Sequence, residues 1–188
     1  MRFTVIAPLA AALALAGCNN SDTVTAKNES VASVADKVAA STIKPLPGRW
    51  ETTVKMGKVE MTGMPAGAAD AMGKHAGPSA PIATCLTPEA AEKMDGSQFR
   101  NAGQDCKYDT FTMAGGKVEG VMTCKTGGQT QRVAMNGTYT PEAYDMAIST
   151  EMEMQPGKTM KTAMNVSSRR TGDCNGTEMK VPEAKTAG

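Results

Sequence analysis

The chain has 188 residues, with 20 Lys plus Arg against 19 Asp plus Glu and a single histidine. That near-neutral balance excludes a general nucleic acid binder, which needs a basic stripe, and one histidine removes most imidazole-based catalysis. At 40% hydrophobic and 21% charged residues, the composition suits one soluble domain of ordinary size.

Residues 1–17 read as a lipoprotein signal peptide. Met1-Arg2 gives a short positive start, and Phe3 to Leu15 is almost wholly apolar but too short to span a bilayer as a permanent helix. The run stops at Leu15-Ala16-Gly17-Cys18. Small residues before a cysteine let a lipoprotein signal peptidase reach the bond beside a lipid-modified thiol, and the motif resembles a bacterial lipobox. Cys18 is therefore the expected lipidation site, with diacylglyceryl on sulfur and an acyl chain such as palmitate on the new amine. Two or more chains hold a protein stably on a membrane, at ~0.8 kcal/mol per buried methylene. The membrane is thus the first expected partner. Residue 19 is Asn, not Asp; by resemblance to the enteric sorting rule this points to a periplasm-facing protein of the outer membrane.

Residues 18–46 read as the lipidated cysteine and a flexible tether. The segment is rich in Ser, Thr, Asn and Ala; Val31, Val34 and Val38 fall at helical spacing, which allows a short helix, but three valines are few to drive docking and a flexible stalk is the favoured reading.

The folded domain is expected over 47–175, followed by a disordered tail at 176–188. From Trp50 onward the apolar pattern has period two, the mark of strands with one buried side. Trp50, Thr52, Val54 and Met56 alternate with polar neighbours, as do Tyr144 to Met154 and Met160 to Ser168, and 129–139 also reads as extended. Gly127-Gly128, Asn136-Gly137, Thr140-Pro141 and Pro156-Gly157 are the expected turns. Thr87 can cap one short helix over Pro88 to Met94. The predicted fold is mainly β: a curved antiparallel sheet or partly closed barrel of six to seven strands, with one short helix and two disulfides. A two-sheet sandwich is the alternative.

There are five cysteines, Cys18, Cys85, Cys106, Cys124 and Cys174. Lipidation of Cys18 leaves four in an oxidising compartment, and no C-x-x-C pair offers zinc or thioredoxin-type chemistry. Residues 105–113 and 117–125 flank the hairpin signal Gly115-Gly116. A three-residue loop at Ala114-Gly115-Gly116 sets Cys106 opposite Cys124, within disulfide range. Cys85–Cys174 then follows by elimination. The bridges matter because the core is poor. Beyond residue 17 there are 2 Leu, 3 Ile, 11 Val and 2 Phe in 171 residues, about 11%, against the ~20% below which disorder competes. Fourteen methionines past Met1 supply the remaining apolar bulk.

The ordered set Pro47-Gly48-Arg49-Trp50-Glu51, Gly63-Met64-Pro65, Cys85-Leu86-Thr87-Pro88-Glu89-Ala90-Ala91, Cys106, Cys124 and Arg170-Thr171-Gly172-Asp173-Cys174 resembles the bacterial envelope proteins grouped as domain of unknown function 3617. The resemblance spans about 47–174. It implies a secreted or lipid-anchored protein with no assigned activity, and carries over no catalytic residue.

Candidate chemistry is thin. Met61, Met64, Met72 and His75 lie within fifteen residues, and thioethers with an imidazole suit Cu(I). A Ser–His–Asp set needs an oriented imidazole, and His75 sits among Gly, Ala and Pro without a G-x-S-x-G elbow. Glu151 and Glu153 share the polar face of an alternating strand and read as solvated surface. Ser167-Ser168-Arg169-Arg170 reads as surface charge, or as a cap near Cys174. Met146, Met152 and Met154 share parity with Tyr144 and Ile148 and read as core. The functional expectation is a non-catalytic envelope lipoprotein without cofactor. It would bind an envelope partner protein or a small hydrophobic ligand. A Cu(I)-binding or buffering protein using Met61, Met64, Met72 and His75 is the alternative.

Overall fold

Alternating sequence becomes strand after strand, and the strands form one sheet. The computed structural model describes residues 22–42, 44–63, 80–92, 105–155 and 157–180. In chain order the elements are β1 (Val24–Ser30), α1 (Val31–Ala39), β2 (Gly48–Met61), β3 (Ile82–Leu86), α2 (Pro88–Glu92), β4 (Cys106–Ala114), β5 (Lys117–Thr126), β6 (Gln129–Thr140), β7 (Ala143–Gln155), β8 (Lys158–Gly172) and β9 (Met179–Lys180). The sheet order is β1-β4-β5-β6-β7-β8-β2-β3-β9. Neighbours are antiparallel except β3 and β9, which run parallel. The sheet is curved and unclosed, so of the expected forms it is the open sheet and not the barrel.

Nine strands stand where six or seven were expected, and the two additions lie at the ends. Residues 24–39, expected to be tether, are β1 and α1. Ser30 caps the helix, its hydroxyl accepting from the Ser33 amide at 3.1 Å. The valine stripe buries Val31 and Val34 at 5% and 3% exposure. Three valines alone are too few, but Val24 and Ala26 of β1 join them, and β4 supplies the facing surface. At the other end, Met179–Lys180 of the expected tail forms β9. The Glu178 carboxylate accepts the Asn175 and Gly176 amides at 2.9 Å each, and its oxygen lies 3.4 Å from Arg49 Nε. Those bonds fix the chain just ahead of β9.

The β4–β5 hairpin reaches the expected cysteine pairing by a different route. Gly115 and Gly116 have φ of 55° and 76°, the two positive values a two-residue type I′ turn requires. Ala114 therefore opposes Lys117, one residue out of step with a Cys106–Cys124 pair. A bulge between Tyr108 and Thr110 inserts Asp109 and restores the step, so Cys106 faces Cys124. The bulge also rephases burial: Cys106 and Tyr108 before it, and Phe111 and Met113 after it, all point into the core.

Asn136-Gly137, expected as a turn, lies inside β6. A Cβ on Gly137 would sit 2.0 Å from the Asp145 carbonyl oxygen and 2.6 Å from Met146 Sδ. The glycine serves close approach of β7, not chain reversal. The reversal comes at Pro141-Glu142, where Thr140 opposes Ala143, one residue on from the expected turn at Thr140-Pro141.

The core gathers at the β1 end of the sheet. Val24, Val31, Val34, Tyr108, Phe111, Val118 and the Cys106–Cys124 bridge form one cluster under α1, with Tyr108 and Phe111 in edge contact at 5.2 Å.

Candidate functional site

Residues directly opposed in a sheet share a face, so register extends the core outward strand by strand. Phe111 opposes Gly120, Gly120 opposes Met135, and the row continues through Ile148, Met164 and Met56. A second row runs Met113, Val118, Gly137, Met146, Val166, Val54. A third runs Tyr108, Met122, Val133, Thr150, Thr162, Val59, and a fourth Cys106, Cys124, Gln131, Met152, Met160, Met61. One face of the sheet is therefore apolar from β4 to β2, and methionine is its commonest residue.

Among the described residues, only part of that face is covered. α1 packs on β1 and β4, where side chains are buried. Over β6, β7, β8 and β2 the same rows are half-buried, and Met56 is 40% exposed. Met135 and Met146 pack against the core cluster, whereas Met152 and Met154, expected as core, are half-buried on the open part. α1 thus forms a wall about 10 Å high beside an apolar floor.

The far rim is aromatic and polar. Trp50 is buried, stacks on Tyr144 at 6.3 Å and donates its indole N–H to the Leu46 carbonyl at 3.0 Å. Thr52 and Ser168 share a hydroxyl hydrogen bond of 2.8 Å, and Ser168 is 1% exposed. The Tyr139 hydroxyl is buried without a hydrogen-bond partner among the described residues, and burial pushes its ionisation up. Burial does the same to Tyr108.

The opposite face is polar, and its charges are matched. Arg169 Nη2 lies 2.6 Å from Asp145, and this bond, followed by one from Ser167, holds the Asp145 carboxyl below its ordinary range. Lys161 pairs with Glu151 at 3.3 Å. On the Trp50 side of the sheet, Arg170, which opposes Trp50, donates Nε to the Pro47 carbonyl at 2.7 Å and pairs with Asp173 at 2.9 Å. It thus ties the strand end to the turn before Cys174, as one of its two sequence readings has it. Two shallow open grooves on the polar face are lined by small residues such as Thr112, Asn136, Thr138, Asn165 and Ser167. Glu151 and Glu153 alternate with Met152 and Met154 and are exposed.

Both cysteine pairs are joined. Cys85 meets Cys174 at a Cα separation of 5.5 Å, and Cys106 meets Cys124 at 4.0 Å. Thr87 caps α2, its hydroxyl accepting from the Ala90 amide at 3.1 Å. Cys18, Met64, Met72 and His75 lie outside the described residues. Of the four-residue copper set only Met61 is placed, opposite Met160 on β8. Reading strands singly missed the continuous face: a two-residue turn after Gln155 alone would set Met152 opposite Lys161, and the register shift between Glu153 and Gln155 is what brings it opposite Met160.

A family model described as "Protein of unknown function (DUF3617)" matches residues 45–174. No curated protein and no solved structure matches the chain.

Proposed function

Since the chain belongs to the DUF3617 family, whose function is unknown, we propose that it is a non-catalytic envelope lipoprotein, anchored through Cys18 and facing the periplasm from the outer membrane, that holds a small hydrophobic ligand. The observation that carries the ligand half is the apolar floor over β6, β7, β8 and β2, left uncovered by the described residues beside the wall of α1. A large open apolar patch marks a surface that binds a partner, a membrane or a ligand. A floor with a side wall suits a small molecule better than a flat partner. Methionine suits it too, because its flexible thioether side chain adapts to irregular shapes. The anchor half rests on the Leu15-Ala16-Gly17-Cys18 motif and Asn19.

Two experiments test the reading. A fluorescent fatty-acid probe is expected to bind the wild-type chain and to lose at least tenfold in affinity with Ile148→Lys, which charges the floor. Thr138→Lys, on the polar face, should leave binding unchanged. Equal binding by both variants overturns the ligand. Wild-type protein expressed with its leader is expected to partition into detergent with acyl mass on Cys18, and Cys18→Ser to remain aqueous; a variant equally membrane-bound overturns the anchor.

A further inference from the structure

Beyond apolar binding, we propose that Met61, Met152 and Met160 form a site for a soft monovalent metal ion, Cu(I). The three come from three strands that the hydrophobic pattern alone does not join. Met160 on β8 is opposed on one side by Met61 of β2 and on the other by Met152 of β7. They lie in one row, on one face. Directly opposed Cβ atoms are about 4.5–5.5 Å apart. Three rotatable bonds let each methionine swing its sulfur toward a point above the central residue.

The chemistry of the set selects the ion. Thioethers are soft, neutral donors that favour Cu(I) over the harder divalent ions. Among the described residues no group of three His, Cys, Asp or Glu stands ready to capture zinc or another borderline ion. Lys161 and Glu151 alternate with the methionines, point to the other face and pair with each other at 3.3 Å. The row itself is therefore uncharged, which favours a single positive charge over two.

Met61, Met152 and Met160 are half-buried, as are Met135, Met146 and Met164 on the same face, whereas Met113, in the core, is 9% exposed; what sets this row apart is that three successive opposed positions are all methionine. The site differs from the 61–75 copper set in taking its ligands from the sheet. It does not depend on hydrophobic ligand binding.

The test is a titration of the purified full chain with Cu(I), kept reduced by ascorbate, against a chromogenic Cu(I) chelator. One ion per chain is expected, with only sulfur in its first coordination shell by X-ray absorption. Met61→Leu/Met152→Leu/Met160→Leu keeps the apolar volume and should weaken binding at least tenfold, at a melting temperature within a few degrees of wild type. The single variant Met160→Leu, which removes the central donor, gives the same readout should the triple variant fail to fold. Met64→Leu/Met72→Leu/His75→Ala should bind as wild type does. No Cu(I) uptake, uptake unchanged by Met160→Leu, or uptake abolished by the 64/72/75 variant each overturns the proposal.

Discussion

Single residues decide how closely the strands approach. Gly137 and Gly115 are both glycines in β-structure, but for different reasons. A methyl group at 137 collides with the backbone of β7, while at 115 it meets no atom within 4 Å and only the positive φ opposes it. Gly137→Ala should therefore cost more than ~2 kcal/mol, and Gly115→Ala about 1 kcal/mol, both read from urea denaturation. Equal losses would show that backbone sign, not space, governs both sites. Charge acts more gently. Glu29 is held below its ordinary range chiefly by its bond to Lys37, Asp145 by Arg169, and Glu178 by the Asn175 amide. A depressed carboxyl stabilises the fold above its unfolded pKa and loses that contribution as pH falls through the folded value. Melting temperature should therefore hold near neutrality and decline below about pH 4; a rise on acidification would contradict this. Of these partners only Arg169 lies on a different strand, 24 residues from Asp145, and that pairing was not legible in the chain. The cap at Thr87 was, because it depends on residues three positions away.

At the level of elements, legibility followed the range of the interactions. The alternation of β2, β7 and β8 was plain because each has one apolar side. β1 and α1 were misread as tether because each is weak alone; together they bury Val24, Ala26, Val31 and Val34 against β4. Val34→Asp puts a charge under the helix and should cost more than ~2 kcal/mol, with increased binding of a hydrophobic dye at neutral pH. A variant with wild-type stability would show that the helix merely rests on the sheet. The cysteine register was read correctly from an incorrect loop. A two-residue turn and the Asp109 bulge differ from the expected three-residue turn by compensating single steps, and both Gly-Gly reversals are compatible with either.

Across the whole molecule, the two disulfides occupy different environments and should behave differently. Cys106 and Cys124 are 4% and 6% exposed inside the core. Cys174 is exposed and Cys85 half-buried at the β3 edge. Limited thiol reductant under native conditions should open Cys85–Cys174 first, read by alkylation and peptide mass mapping. The reverse order would place the accessible sulfurs elsewhere. Each bridge should still matter to equilibrium stability: separations of 89 and 18 residues correspond to roughly 4–5 and 3 kcal/mol in the chain-entropy picture. Sheet class and both pairings could be read from sequence. The strand order could not, because it sets β8 beside β2, more than a hundred positions earlier.

Were Cys18 acylated as proposed, the early start of the sheet would also set how far the molecule can stray from its lipid. Were residues 18–46 slack, the domain could roam most of 100 Å from the bilayer at full extension. With β1 beginning at Val24, the leash between Cys18 and the first strand is six residues, about 20 Å at most. An acylated chain would therefore stand with its N-terminal edge close over the headgroups and its β9 edge, eight strand positions away, free to tilt outward.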